Sequence, residues 1–92
     1  MSGLMGRVFI MPKEEVLDPQ GQAVRQSLHA LGYGEVADVR LGKYLEVRLS
    51  GTDAAAARSR LDEMCQRLLA NQIIESYRVE VEPVPDRPES SA

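Results

Sequence analysis

Residues that usually carry chemistry are scarce in this sequence. Its 92 residues include one cysteine, one histidine, one phenylalanine, three tyrosines and no tryptophan. A single cysteine cannot form an internal disulfide, and a metal site needs several ligands. A catalytic histidine needs an orienting carboxylate or a nucleophile within reach, and no pattern nominates one for His29. We therefore expect Cys65 in the core, His29 on a helix surface, and no catalytic, cofactor-binding or metal-binding residue.

Excess positive charge and long apolar runs are also missing. The formal net charge of −3 argues against a nucleic-acid partner and against an anionic membrane surface. No apolar run approaches the ~20 residues of a membrane span, and the first residues lack the basic start and apolar core of a signal peptide. With one unpaired cysteine, these absences predict a cytoplasmic protein. A chain this small often gains stability by association, so a homo-oligomer is expected.

The strongest local pattern is a helix that begins after Asp18. A carboxylate at that position can accept hydrogen bonds from the first N–H groups of a helix, and Pro19 fits the first helical turn because it lacks an N–H. Gly32 predicts a left-handed stop, with Tyr33 folded back onto the last turn. Helical spacing predicts one narrow buried stripe, formed by Ala23, Val24, Ser27, Leu28 and Leu31.

The residues after this helix predict a β-hairpin, with strands at 36–41 and 45–49. Placing Leu41 opposite Leu45 collects the apolar residues of both strands on one face. The same register places Arg40 opposite Glu46 and Asp38 opposite Arg48, whereas a slip by one residue loses both charge pairs. The loop is then Gly42, Lys43 and Tyr44, although the glycine stands first where the common three-residue turn has it last.

The remaining segments predict one more helix and two more strands. Leu4 to Met11 reads as the first strand, and Tyr77, Val79 and Val81 alternate with charged residues in the last. Thr52 or Asp53 is expected to cap the second helix. Its predicted apolar stripe is Ala57, Leu61, Met64, Cys65 and Leu68.

The order strand, helix, strand, strand, helix, strand is that of an α+β, ferredoxin-like βαββαβ fold. Such a fold has a four-stranded antiparallel sheet with both helices on one face. We expect a single domain over residues 1–82. Three of the five prolines lie in residues 83–92, which have no apolar period and predict a disordered tail.

Several stretches together resemble the PurS family, the small subunit of phosphoribosylformylglycinamidine synthase in de novo purine synthesis. The resemblance runs from the first strand to about Glu82. The matching stretches are Val16-Leu17-Asp18-Pro19-Gln20-Gly21, Leu31-Gly32-Tyr33, Gly42-Lys43-Tyr44, Leu68-Leu69-Ala70-Asn71 and Ile74-Glu75-Ser76-Tyr77.

The resemblance implies a subunit of an ATP-dependent carbon–nitrogen ligase that uses glutamine as its amido donor. In this family the large synthetase subunit, with ATP and Mg, activates formylglycinamide ribonucleotide, and a glutaminase subunit supplies ammonia. The small subunit is a homodimer, and a tetramer is an open alternative. It is needed for assembly, contributes no catalytic residue and binds no cofactor of its own.

We predict roles for two groups of residues, one structural and one at the interface with partners. Asp18, Pro19, Gly32 and Gly42 are expected to have structural roles. The predicted interface with partners comprises Arg40, Lys43, Tyr44 and Arg48 from the hairpin, and Tyr77 and Arg78 from the last strand. The alternative function is a regulatory module that binds a small molecule. Such modules usually bind at a glycine-rich turn before the first helix, and the segment here is Lys13-Glu14-Glu15.

Overall fold

The computed structural model describes residues 3–84, which form three strands and two helices. The second helix continues without a break into one turn of π-helix. The strands are β1 (Gly3–Pro12), β2 (Lys43–Ser50) and β3 (Glu75–Val84), the helices are α1 (Pro19–Ala30) and α2 (Ala54–Met64), and the π-helical turn is Cys65–Leu69.

The sheet is antiparallel and its strand order is β2-β1-β3. The central strand β1 pairs with β2 from Gly3↔Ser50 to Ile10↔Lys43, and with β3 from Gly3↔Val84 to Pro12↔Glu75. Both neighbours of β1 come from later parts of the chain. The sheet therefore forms only when segments far apart in sequence meet.

The predicted hairpin is wrong. Residues 36–42 form no strand, and Lys43 and Tyr44 lie inside β2 rather than in a loop. Their pairing with Ile10 and Phe9 of β1 extends β2 by two residues. The predicted loop of Gly42, Lys43 and Tyr44 is therefore absent. Within residues 3–84 a fourth strand is not seen.

One face of the sheet, here called the inner face, carries the core. Val8 and Ile10 from β1 and Leu61 and Cys65 from the second helix have 1% or less of their surface exposed. Gly6 lies directly beneath Leu61, since a Cβ built on Gly6 would lie 2.2 Å from a methyl carbon of Leu61. The absence of a side chain at Gly6 thus allows α2 to pack closely on β1.

The π-helical turn changes which residues of the second helix are buried. Its closing bond runs from the Ala70 N–H to the Cys65 carbonyl, five residues earlier. The wider turn rotates Leu68 outward, where it is 82% exposed, and turns Leu69 towards the core. The predicted stripe is therefore correct for Ala57, Leu61 and Cys65 and wrong for Leu68, because it assumed an uninterrupted α-helix.

Both ends of α1 are held by local hydrogen bonds. Asp18 lies at the N-cap, where its Oδ1 accepts a bond from the Gly21 N–H at 2.9 Å, and Pro19 is the first helical residue. At the other end Gly32 has a φ of +103°. The Tyr33 N–H reaches back to the Leu28 carbonyl at 3.0 Å, which closes the helix in a Schellman motif.

The predicted burial of α1 is wrong, because this helix makes only marginal contact with the sheet of its own chain. Gly21 is its only buried residue. Val24 is 39% exposed, Leu31 is 73% exposed, and Leu28 is half-buried. Within residues 3–84 the expected arrangement of two helices on one sheet face is therefore not seen: α2 packs mainly on β1 and β3.

The last strand reaches further than the sequence pattern indicates. Pro83 and Val84 pair with Leu4 and Gly3 at the end of β3. Proline is tolerated there because β3 is an edge strand and needs hydrogen bonds on one side only. The rest of the predicted disordered tail lies outside the described residues. None of the helices in residues 3–84 combines the length and the apolar content that crossing a membrane requires.

Because α2 packs on β1 through Leu61, we expect the stability of the fold to depend strongly on this side chain. Replacing Leu61 by Ala should lower the free energy of unfolding by about 2–5 kcal/mol, because it leaves a cavity over Gly6 in the closed core. Urea denaturation followed by circular dichroism measures the loss. The matched control is Leu68→Ala on the same helix, which should change stability by less than about 0.5 kcal/mol. Equal losses in the two variants would contradict this packing.

Candidate interaction surfaces

The face of the sheet opposite the core, here called the open face, carries charged and aromatic side chains. Alternation along β1 places Met5, Arg7, Phe9 and Met11 on this face, all half-buried. No helix covers these residues within the part of the chain that the structure describes. An open face of this composition is typical of a surface that meets another protein.

An aromatic and cationic stack lies at the centre of the open face. Tyr44 and Arg78 are the cross-strand neighbours of Phe9 on β2 and β3. The rings of Phe9 and Tyr44 have centroids 5.1 Å apart, and the Arg78 guanidinium lies 4.1 Å from the centroid of the Phe9 ring. Phe9 is thereby held between an aromatic ring and a cation, a geometry in which both contacts are attractive.

Charged residues continue this stack along the sheet. The Arg7 Nε donates to the Tyr44 hydroxyl at 3.1 Å, and that hydroxyl donates to Glu46 at 2.7 Å. Arg7 also pairs with Glu82 on β3. The hydrogen bond to Glu46 raises the pKa of Tyr44, so the phenol stays protonated and keeps its role as a donor. The side chains of three strands are thus linked in one network.

A second surface is formed by residues 13–42, here called the arm. Within the arm, α1 and the extended segment 36–42 are tied together by Asp18. Its Oδ2 accepts a bond from the Leu41 N–H at 2.8 Å while its Oδ1 caps the helix. These backbone hydrogen bonds, from Leu41 first and Gly21 second, hold the pKa of Asp18 below its ordinary value.

Close contact between the helix and the extended segment depends on Gly21. A Cβ at this position would lie 2.3 Å from the Val39 carbonyl oxygen, so a larger residue would push the two apart. The arm also exposes apolar side chains: Leu17 is 75% exposed, Tyr33 50% and Leu41 42%. The arm is therefore internally ordered while much of its apolar surface faces solvent.

A cavity of about 570 Å³ lies between the start of α1 and the segment 36–42. Five of its lining residues are charged, namely Glu14, Glu15, Asp18, Asp38 and Arg40. Within residues 3–84 no group of three or more His, Cys, Asp or Glu side chains is placed to hold a metal ion. The excess of carboxylates also makes the cavity a poor site for phosphate groups.

The structure does not bring the six predicted interface residues together. Tyr44, Arg48 and Arg78 share the open face, and Arg40 lies in the arm. Lys43 begins β2 and lies 3.6 Å from Glu75. Tyr77 lies on the inner face, where its hydroxyl donates to Asp62 at 2.5 Å, and that bond raises the pKa of Tyr77.

Other predicted residues have plain structural surroundings. Gly42 lies so close to β1 that a Cβ would be 2.2 Å from the Ile10 carbonyl oxygen. His29 is exposed, with its Nε2 2.7 Å from the Val36 carbonyl oxygen. Burial raises the pKa of the Cys65 thiol, which keeps it protonated.

Sequence reasoning missed Arg7 and Glu82 as members of the open-face network. The period of two along β1 places Arg7 and Phe9 on one face, so that part of the signal is present in the sequence. Their partners on β2 and β3 depend on the register of β1 with strands about 40 and 70 residues away. That register becomes visible only in the folded chain.

Comparison with known proteins identifies the family. The sequence profile of PurS, described as phosphoribosylformylglycinamidine (FGAM) synthase, matches residues 6–83. The chain belongs to the PurS family. The subunit PurS of phosphoribosylformylglycinamidine synthase from Bacillus subtilis is 50% identical over 78 residues, which are 85% of this chain and 92% of that protein. The family resemblance inferred from the sequence is thereby confirmed.

Solved PurS structures have the same architecture. Methanocaldococcus jannaschii PurS, described as one of the subunits of formylglycinamide ribonucleotide amidotransferase in the purine biosynthetic pathway, superposes with a TM-score of 0.77 at 30% identity. The match covers 86% of this chain and 95% of that one. A chain of PurLQS from Thermotoga maritima, 24% identical, has the same fold with a TM-score of 0.76, covering 86% and 98%. The chain thus shares its overall fold with these solved structures.

The two hydrogen bonds that Asp18 accepts predict that the stability of the arm depends on pH. Because the folded pKa lies below the unfolded value of about 3.9, these bonds add stability above that pH, and the contribution is lost as the pH falls through the folded pKa. We expect Asp18→Ala to speed amide exchange at Gly21 and Leu41 at pH 7, with a difference from the parent protein that shrinks below about pH 3.9. Amide exchange followed by NMR measures this.

The matched control for that experiment is Glu14→Ala, which removes an exposed carboxylate from the loop before α1. It should leave exchange at both amides unchanged. Amides of β1 such as that of Val8 should be unaffected in either variant, because α1 barely touches the sheet. Unchanged exchange at Leu41 in Asp18→Ala would contradict the role given to this carboxylate.

Proposed function

We propose that this protein is the small subunit of phosphoribosylformylglycinamidine synthase and acts in purine synthesis without catalytic residues of its own. The observation that carries the proposal is the 50% identity to a subunit of that enzyme along 85% of the chain. The geometry supports it, because the described surface offers contact areas for other proteins. These are the open-face network around Phe9 and the exposed apolar side chains of the arm.

The partners in this proposal are a second copy of the chain, a large synthetase subunit and a glutaminase subunit. ATP and Mg belong to the large subunit, and this chain binds no cofactor. Its task is to hold the other two together so that ammonia released from glutamine reaches the activated formylglycinamide ribonucleotide before it escapes to solvent. The PurLQS structure from Thermotoga maritima, one chain of which has this fold, supports such an assembly. A cytoplasmic location remains a prediction.

Association with other proteins also accounts for the exposed arm. Leu17 and Leu31 expose about three quarters of their surface although both lie beside an ordered helix. At about 25 cal/mol for each Å² of apolar surface removed from water, covering such side chains contributes substantially to binding. The regulatory-module alternative lacks comparable support, since the cavity beside α1 is lined mainly by carboxylates and no glycine-rich turn precedes the helix.

Reconstitution with the two larger subunits tests the proposal. With glutamine as nitrogen donor, product formation should require this protein. With ammonium salts, the large subunit alone should remain active, because ammonia then arrives from solution. Product formation is measured for both donors with and without the small subunit. Glutamine-dependent turnover that is unchanged when this chain is omitted would overturn the proposal.

A pair of arginine variants tests whether the open face takes part. Arg78→Ala removes the cation that stacks on Phe9 at the centre of that face. If the face meets a partner, the concentration of small subunit giving half-maximal glutamine-dependent activity should rise by about tenfold, as for a central interface arginine. The control is Arg67→Ala, an exposed arginine of the π-helical turn. Equal half-maximal concentrations for the two variants would exclude this face.

A further inference from the structure

The register of the sheet shows which backbone groups of β3 point away from β1. The Lys13 N–H donates to the Ile74 carbonyl at 2.8 Å, which continues the β1–β3 ladder. Even-numbered residues of β3 are therefore bonded to β1, because bonded and non-bonded pairs alternate along an antiparallel ladder. The odd-numbered residues direct their backbone groups to the outer edge of the strand. These residues are Glu75, Tyr77, Val79, Val81 and Pro83.

Both ends of this outer edge are closed. The Glu75 N–H donates to the Asn71 carbonyl at 2.7 Å, so a turn of the same chain occupies the start of the edge. Pro83 lies near the other end and has no N–H with which to bond another strand. Exposed strand edges tend to pair with other strands, and proteins usually protect them. The part left between the two ends is residues 77–81, here called the edge segment.

Arg58 of α2 occupies the middle of the edge segment. Its guanidinium donates to the Val79 carbonyl oxygen at 2.9 Å, in a partly buried hydrogen bond. Among the hydrogen bonds that join residues 3–84, no other engages the outward groups of Tyr77, Val79 and Val81. An added strand bonds to successive outward residues, so a ladder at this edge is interrupted while Arg58 holds the central carbonyl.

The space beside the edge segment can admit another strand. A groove of about 430 Å³ lies between α2 and β3, with Tyr77 and Val79 on its strand side. On its helix side Arg58 lies between two small residues, Ala55 and Ser59. The Arg58 side chain crosses this groove to reach Val79, so a strand that enters must displace it.

The edge segment is complementary to itself. Antiparallel pairing of two copies about Val79 places Arg78 of each copy opposite Glu80 of the other. The same register places Tyr77 opposite Val81. Opposite charges and aromatic–β-branched pairs directly across a ladder both stabilise it. The residues that point outward are also the ones that this register brings into hydrogen-bonded pairs, so side chains and backbone favour the same pairing.

We propose that Arg58 blocks the outer edge of β3 and thereby prevents the edge segments of two copies of this chain from pairing. The contact is autoinhibitory, because it occupies the one carbonyl that a symmetric ladder needs at its centre. A protein that associates through one surface and also pairs at a second would extend into larger assemblies. The block limits such growth, and it does not rest on the proposed role in the enzyme complex.

Removing the guanidinium tests the block. Arg58→Met keeps a long side chain on α2 but can neither donate to Val79 nor carry charge. The protein concentration at which complexes larger than those of the parent protein form should fall by at least about tenfold, because the edge segment becomes free to pair. Sedimentation velocity over a range of concentrations measures the change.

The matched control is Arg60→Met, since Arg60 is an exposed arginine of the same helix that pairs with Glu63. This variant should assemble as the parent protein does. Circular dichroism verifies that both variants are folded. If Arg58→Met assembles like Arg60→Met and the parent protein, the proposal is overturned.

Charge reversal tests the register of the pairing. Glu80→Arg, added to Arg58→Met, places like charges opposite each other at both ends of the edge segment, since each new arginine faces Arg78. The excess association should then return to the level of the parent protein. The control is Glu63→Arg in the same background, which lies on α2 and should leave the excess association in place. Excess association that survives Glu80→Arg would overturn the proposed pairing.

Amide exchange locates the pairing and also tests the parent protein directly. In concentrated Arg58→Met the amides of Tyr77, Val79 and Val81 should exchange at least about tenfold more slowly than in dilute protein. The Arg78 and Glu80 amides, which bond to β1, should be protected at both concentrations. In the parent protein the three outward amides should exchange at the same rate at both concentrations. Slower exchange of these amides in the concentrated parent protein would show that the edge pairs despite Arg58, and would overturn the proposal.

Discussion

The central strand β1 hydrogen-bonds to β2 on one side and β3 on the other, and the rest of the fold is held through it. Its inner face presents Val8 and Ile10 to α2, and Gly6 gives Leu61 the space to lie against the strand. On the open face, the same strand carries Arg7 and Phe9, which belong to the network there. One strand thus supports both the core and a surface suited to contact with other proteins.

The arm is ordered by a different kind of interaction. Asp18 accepts hydrogen bonds from α1 and from the segment 36–42, and Gly21 allows these two parts to touch. Few apolar contacts hold the arm to its own sheet. A segment organised by a buried core would be complete within one chain, whereas one held by a carboxylate and two backbone N–H groups retains its apolar surface for another molecule. This difference explains how the arm can be well ordered while its apolar side chains stay exposed.

The sequence predicted local features well and long-range ones poorly. The cap at Asp18, the stop at Gly32 and the existence of three of the four strands depend on residues close together in the chain, and these features are seen. The hairpin prediction failed because it relied on complementary charges close together in the chain, whereas β2 pairs with the distant strand β1. The stripe on α2 failed at Leu68 because a π-helical turn is not encoded by helical period.

The sequence by itself determined the family, the start of both helices and the end of the first. Those properties depend on residue identity and short spacing, which a linear chain displays directly. Only the tertiary structure decided that β1 lies between β2 and β3, that α1 leaves its own sheet uncovered, and that Tyr44 and Arg78 meet around Phe9. These depend on which distant segments pair, because the free energy of pairing comes from surfaces that exist only after the chain has folded.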